Sequence, residues 1–508
     1  MGKNGRDDFG GFRGPCRLES MIHDREVADV RHDRADKRAF GVVRVSRIVL
    51  SCRRDLLGCY EKHLDRARIL PDAALKEMPE KVFPPVPDRP LVPHNSLVAA
   101  TRMLGKRRSL ALEPRTRGLM CCEKTLLCSR VMTNLCTEEW IKSQTWPKSE
   151  PRARSLRVAD LFCGCGGLSL GAYEAARVNH RRLKIALALD LDETAISVYR
   201  KNFGVGPKTA WVGDILQLFG GRITAPPSNV EEETREACGR VDLLVAGPPC
   251  QGHSDLNNSS RRKDPRNSLY MRVVRATKIL QPTAVIIENV PAVVHDRGRV
   301  VSRAKNALQA LGYEVNSAIV GATAIGLAQT RRRHILVGVR GKQLDFGFLE
   351  PLKSAEPKTV RDYIGDLVML NGSSVPLFDE AARMNAINKE RAEFLYKHDR
   401  FDLPDHLRPE CHRNGGHSYV SMYGRLRWDR PAQTITGGFG SMGQGRFLHP
   451  SLCRTITPHE AARLQGFPDF FRFDGVCSRV ALQTVIGNAV PPKLAAIFIN
   501  QLLQEHYL

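Results

Sequence analysis

From Leu156 onward the chain alternates short apolar runs with helix-length segments, and that alternation restricts the fold more than any other feature. The runs LRVADLF, KIALALD, VDLLVAG, TAVIIENV and HILVGV read as strands, and residues 168–177, 193–202, 268–280 and 300–311 between them as helices. Strands separated by helices of this length require crossover connections, so the expected class is α/β, a parallel sheet with helices on both faces.

The 508 residues suffice for two or three domains, and composition shifts suggest where they divide. Residues 1–150 carry basic clusters (Arg31, Arg34, Lys37, Arg38; Lys106, Arg107, Arg108), the Pro-broken stretch FPPVPDRPLVP and no sustained period of 2 or 3.6. They read as a poorly ordered basic extension: a DNA-binding arm, a linker, or sequence upstream of a start at Met132. The sheet block runs over 151–340. Residues 341–450 are loop-rich and mix Gly, polar, Arg and aromatic residues, a composition suited to reading nucleic acid. Residues 451–508 turn helical again.

The net charge of +23 calls for a polyanionic partner. Nucleic acid fits better than a membrane, because no run of about 18 apolar residues and no basic amphipathic helix stands out. The fourteen cysteines are scattered and the N-terminus lacks an apolar secretory region, which places the chain in a reducing, cytoplasmic compartment. Cys163 and Cys165 form C-x-C and Cys121 and Cys122 are adjacent, with no paired C-x-x-C, so no metal site is expected.

One cysteine is different. In AGPPCQGHSD, Cys250 follows two prolines at the end of an apolar run; Pro248 and Pro249 fix φ and lack N–H groups, so the strand cannot continue and the thiol is presented. A free thiol, with a pKa of about 8.5, needs activation to act as a nucleophile. Glu288 ends the strand expected beside that of Cys250, where a carboxyl is placed to donate a proton; the alternative is a salt-bridged structural glutamate. In QTRRR, Arg331 and Arg333 project to one face of an extended strand and Arg332 to the other. The turn ADLFCGCGGLSLG sets Gly164, Gly166 and Gly167 between a strand and a helix, where the backbone can approach a ligand. Asp190 and Asp192 follow the next run, placed to accept from a ribose, and Asp214 in VGDI from an adenine amine; a helix N-cap explains each as well when taken singly.

The ordered series DLFCGCGGLSLG, GDI, GPPCQG, DPRNSL, ENV, QTRRR, RTITPHEAARLQGFPD and GNAVPP resembles the DNA cytosine-5 methyltransferases, from about residue 156 to the C-terminus. The resemblance implies a Rossmann-like S-adenosylmethionine-dependent methyltransferase sheet over 151–340, a smaller target-recognition domain over 341–450, and a 451–508 segment folding back onto the first. It implies a cofactor pocket of Asp160, Phe162, Gly164, Gly166, Gly167, Asp190, Asp214, Ile215, Pro248, Leu269, Asn488 and Val490. Cys250 becomes the nucleophile, Glu288 the partner of the cytosine N3, and Arg333 with Arg331 the holder of its O2. Gln251 and Ser254 would lie near a flipped base, and Arg261 and Arg262 at phosphates.

A monomer acting on double-stranded DNA follows, bound to the nucleoid through that DNA, of restriction-modification type with its endonuclease acting separately. Two features depart from the family pattern: Leu191 stands where an aromatic ring often stacks on adenine, and the recognition segment has no readable match. A tRNA cytosine methyltransferase and a non-catalytic DNA-binding regulator remain as alternatives, whereas a nicotinamide dehydrogenase rests on the glycine turn alone.

Overall fold

The computed structural model describes residues 135–150, 152–249, 269–342, 344, 357–367, 376–413 and 421–508. Expectations for residues 1–134 and for Cys250, Gln251, Ser254, Arg261 and Arg262 lie outside the described residues.

The strands are β1 (Ser155–Leu161), β2 (Arg182–Asp190), β3 (Ala210–Val212), β4 (Leu243–Ala246), β5 (Ala284–Asn289), β6 (Tyr313–Gly321) and β7 (Arg332–Arg340). They form one sheet in the order β3-β2-β1-β4-β5-β7-β6. Neighbours from β3 to β5 pair in parallel, while β7 runs antiparallel to both β5 and β6. The order reverses between β1 and β4, and in open α/β sheets the crevice beyond the strand C-termini at such a point is where ligands bind.

The helices among the described residues are α1 (Glu138–Lys142), α2 (Gly167–Val178), α3 (Glu193–Phe203), α4 (Ile215–Phe219), α5 (Asn229–Cys238), α6 (Leu269–Leu280), α7 (Val300–Ala310), α8 (Val360–Ile364), α9 (Ala386–Lys397), α10 (Pro458–Leu464), α11 (Arg479–Asn488) and α12 (Pro492–Gln504). They cover both faces of the sheet. Leu156 and Val158 of β1 share a core with α2 and α12, whereas Ala159 and Leu161 share another with α4, α6 and α7. The fold is therefore α/β and doubly covered, as expected from the alternating runs.

Two segments divide otherwise than expected. The extension expected to end at residue 150 ends earlier, because Leu135, Cys136, Trp140 and Ile141 are buried in the main core. Thr137 caps α1, and Trp146 packs its ring 4.6 Å from Phe470 and 4.9 Å from Tyr173. Removing residues 1–131 should leave folding and activity intact, whereas removing residues 1–146 should lower stability by several kcal/mol, at ~1.5–3 kcal/mol for each large apolar side chain lost. Thermal unfolding of the two truncations separates these outcomes.

The segment 341–450 also divides otherwise than expected. Val360, Tyr363 and Ile364 of α8, with Leu426, Ala432 and Ile435, belong to the main core, while Ala392, Leu395, Leu403, Met422, Tyr423, Met442 and Leu448 form a small core of their own. Thr330 donates to the Ala432 carbonyl and Ala432 to that of Ala328, so this chain passage adds to the sheet block.

The C-terminal passage folds back along α2. A Cβ on Gly167 would lie 2.0 Å from the Val490 carbonyl oxygen, and one on Gly171 2.3 Å from that of Pro492. Backbone cannot yield as a side-chain tip can, so Gly167→Ala should destabilise the protein by about 1–3 kcal/mol or more and displace Val490; chemical denaturation measures the first effect. Arg479–Gln504 is long and apolar enough to cross a membrane, but it is mostly buried here and broken by Pro491 and Pro492, as befits core helices.

Candidate active site

The turn between β1 and α2 builds the floor of the crevice. Phe162 adopts φ +56°, a left-handed conformation that costs a non-glycine residue about 1–3 kcal/mol and is commonest at functional sites. Gly166 at φ +103° caps α2 and, having no side chain, makes no cap hydrogen bond; a Cβ there would meet the Tyr199 and Phe203 rings. The N-cap thus offers no side-chain acceptor to the first amides of this twelve-residue helix, while the backbone N–H of its third residue, Ser169, turns to the Asp160 carboxyl.

Asp160, on β1 just ahead of the turn, is fully buried. Its Oδ2 accepts from Ser169 Oγ at 2.6 Å, and Ser169 Oγ lies 2.7 Å from the Tyr199 hydroxyl. Its Oδ1 is buried with no hydrogen-bond partner. Burial, opposed by the Ser169 bond and reinforced by Asp190, pushes the Asp160 carboxyl up to about 7. The Cys163 and Cys165 thiols are driven upward by burial too, so they stay protonated and are no nucleophiles. Among the described residues no group of His, Cys, Asp and Glu could hold a metal ion.

Asp190 closes β2, and its carboxylate accepts from Gly164 N at 2.8 Å and from Asp192 N at 2.9 Å. It therefore ties the glycine turn to the end of β2; burial raises its pKa against those two bonds. Asp192 and Asp214 both serve as N-caps, accepting from Ala195 N at 3.1 Å and Leu216 N at 2.9 Å. Each of these two thus has an architectural role. Ile215 is buried directly after Asp214. Beside these carboxylates, Leu191 is 72% exposed, and Val212 and Leu216 are exposed as well, leaving an apolar rim at the ends of β2 and β3.

The ends of β4 and β5 carry the second half. Around the position of a Cβ on Gly247 lie Glu288 Oε2 and Val490 Cγ2, each at 3.6 Å, and the Phe162 carbonyl oxygen at 3.9 Å. Residues from four distant parts of the chain meet there. Glu288 Oε1 stands 2.7 Å from Arg333 Nε in an ion pair whose side chains are 8% and 14% exposed. Arg331, also buried, donates from Nη1 to the Ile435 carbonyl at 3.1 Å, which ties it to the chain passage before α10. Arg332 faces solvent, as the alternation requires. Leu269 is half-buried at the start of α6, and Asn488 is exposed at the end of α11.

Sequence reasoning missed several supporting side chains. Asn289 Nδ2 donates to the Pro248 carbonyl at 3.2 Å and its Oδ1 accepts from Val290 N, so β5 holds the Pro-Pro turn that leads to Cys250. Gln465 Nε2 donates to the Ile486 carbonyl at 2.8 Å, and Gln329 Nε2 to Gln465 Oε1 at 3.0 Å; both glutamines are fully buried. They join the turn before β7 to the GNAVPP turn. Their only signal in the sequence was their place inside QTRRR and LQGFPD.

Comparison with known proteins identifies the family. A family model for C-5 cytosine-specific DNA methylases matches residues 156–504. Type II methyltransferase M1.BsuMI of Bacillus subtilis is 44% identical over 358 residues, covering 70% of this chain and 83% of that protein. Type II methyltransferase M1.HphI of Haemophilus parahaemolyticus is 32% identical, covering 69% and 87% respectively. Type II methylase M.HgiDII of Herpetosiphon aurantiacus is 31% identical, covering 68% and 94%.

Proposed function

The chain belongs to the C-5 cytosine-specific DNA methylase family and is a DNA (cytosine-5-)-methyltransferase; from that premise we propose that Cys250 attacks a cytosine flipped out of duplex DNA and that the methyl donor is S-adenosylmethionine. The observation that carries this reading is the meeting of Phe162, Gly247, Glu288 and Val490 at the sheet's switch point, with Arg333 paired to Glu288.

The residues present fit the cofactor. The uncapped α2 N-terminus suits its carboxylate, the carboxylates of Asp190 and Asp214 flank an apolar rim suited to an adenosine, and the partnerless Oδ1 of Asp160 awaits a positive or donor group. Phe162, Gly164, Gly166, Gly167, Ile215, Pro248, Leu269, Asn488 and Val490 complete the pocket in this reading. Bound there, S-adenosylmethionine supplies an electrophilic methyl group on a sulfonium.

Carbon 5 of cytosine is too weak a nucleophile on its own. Addition of the Cys250 sulfur to carbon 6 moves electron density to carbon 5, and Glu288 holds a proton at N3 while Arg333, supported by Arg331, steadies O2. After transfer the carbon 5 proton passes to solvent water, and the electrons of that C–H bond re-form the carbon 5–carbon 6 double bond as the Cys250 thiolate is expelled, which restores aromaticity. Asn289 fixes the Pro248 carbonyl, two residues ahead of the nucleophile. Flipping costs a few kcal/mol, which phosphate contacts from Arg261 and Arg262 and contacts of Gln251 and Ser254 near the base would offset.

In the type II setting that its relatives' names describe, the enzyme would protect DNA from a separate endonuclease. Transfer of labelled methyl groups from S-adenosylmethionine to duplex DNA and to tRNA tests the proposal. Label in DNA is the expected result, and label in tRNA alone would move the substrate to RNA.

A further inference from the structure

We propose that Asp160 is a charge switch in the cofactor site, neutral while no cation is bound and ionised when a sulfonium arrives, its proton passing to solvent. The inference rests on the proposed use of S-adenosylmethionine and goes beyond it, because it concerns how the site tells the methyl donor from the spent thioether.

Three observations carry it. The carboxyl is fully buried, and one of its oxygens has no hydrogen-bond partner. A buried anion in that state is costly unless a cation or further donors join it. No cation does: among the described residues Asp160 forms no ion pair, and the titratable groups around it are Asp190 at the end of β2, Tyr199 of α3, and Cys163 and Cys165 of the turn. All are neutral or negative, so no cation offsets the burial of this carboxyl, and only the hydroxyl and backbone N–H of Ser169 favour its charge. Finally, its one side-chain partner works with either form. Ser169 can donate to a carboxylate or accept from a carboxylic acid, because the Tyr199 hydroxyl beside it can reverse its own role to match. The hydroxyl pair lets the proton leave without rebuilding the site.

S-adenosylmethionine bears one more positive charge than S-adenosylhomocysteine. A carboxyl that ionises only beside that charge strengthens binding of the donor and contributes little to binding of the product, which favours exchange after each turnover. Burial pushes the Asp160 carboxyl up to about 7, so the exchange falls in the neutral range. Below that pH, binding of the donor must first remove a proton; its affinity should fall by up to about tenfold per pH unit, and level off above.

Calorimetric titration near pH 7 in two buffers of different ionisation heat, with each ligand in turn, reads the proton directly. S-adenosylmethionine should release about half a proton from the wild type, S-adenosylhomocysteine clearly less, and Asp160→Asn should abolish the difference and reduce the preference for the donor. Equal release by wild type and Asp160→Asn assigns the proton to another group and overturns the inference, while leaving the function standing. Binding of neither ligand overturns the function itself, and the inference with it. Should Asp160→Asn fail to fold, the wild-type profile decides: a donor affinity that is flat from about pH 5.5 to 8.5 contradicts the switch, and one that rises with pH and levels near 7 while the thioether's stays flat supports it.

Discussion

Cys250→Ala should abolish methyl transfer, lowering the rate by roughly 10⁴- to 10⁶-fold, the range seen when a covalent nucleophile is removed, with S-adenosylmethionine binding unchanged. The size follows from the substrate. Without addition at carbon 6 the cytosine ring gives up too little electron density at carbon 5. Neither of the two buried thiols in the glycine turn can substitute, since burial holds Cys163 and Cys165 protonated. The proposed cofactor pocket includes Phe162, Gly164 and Asp190, far from Cys250 in the chain, and should stay intact. Single-turnover kinetics with duplex DNA, beside a binding titration with the cofactor, checks both halves. Near wild-type turnover would remove the nucleophile from the mechanism.

Glu288→Gln should lower the single-turnover rate by about 10²- to 10⁴-fold and, by leaving the largely buried Arg333 without its ion-pair partner, should lower stability as well. Glutamine keeps the shape of the side chain but cannot hand a proton to N3, and it loses the ion pair with Arg333 at 2.7 Å. Because the two side chains touch, their effects should not add. Arg333→Met should slow the wild type more than it slows the Glu288→Gln variant, and a double-mutant cycle on the rate measures that coupling. Additive losses would mean that the pair acts as two independent contacts.

The parts of the fold legible in the sequence are those where burial leaves a dense apolar signal. β1, β2, β4, β5 and β7 are the interior of the sheet, and each coincides with an apolar run. β3 has only three residues, and β6 is the far edge strand, where Glu314, Asn316 and Ser317 break the apolar pattern; neither stood out. The passage from Leu135 to Trp146 was hidden by the basic sequence before it, although Thr137 ahead of Glu138 and Glu139 is an N-terminal helix signal and two of the chain's four tryptophans lie there.

The meeting of Glu288 with Arg333 was legible because each follows a motif that fixes a strand end, and β5 and β7 prove to be neighbours. The bonding of Asp160, Ser169 and Tyr199 was not, since it joins one strand and two helices through side chains that carry no spacing rule. The aspartates show the limit of motif reading most clearly. Asp190 braces the glycine turn, while Asp192 and Asp214 each cap a helix, architectural roles that the motif alone does not reveal.

The most direct test of the covalent mechanism uses a duplex in which the target cytosine is replaced by 5-fluorocytosine, incubated with the enzyme and S-adenosylmethionine. Fluorine at carbon 5 cannot leave as a proton does, so the sulfur should remain bonded to carbon 6, and mass spectrometry of the digested complex should place the modified nucleotide on Cys250. Methylation of ordinary cytosine by the same preparation with no such adduct, or an adduct on another residue, would contradict the account.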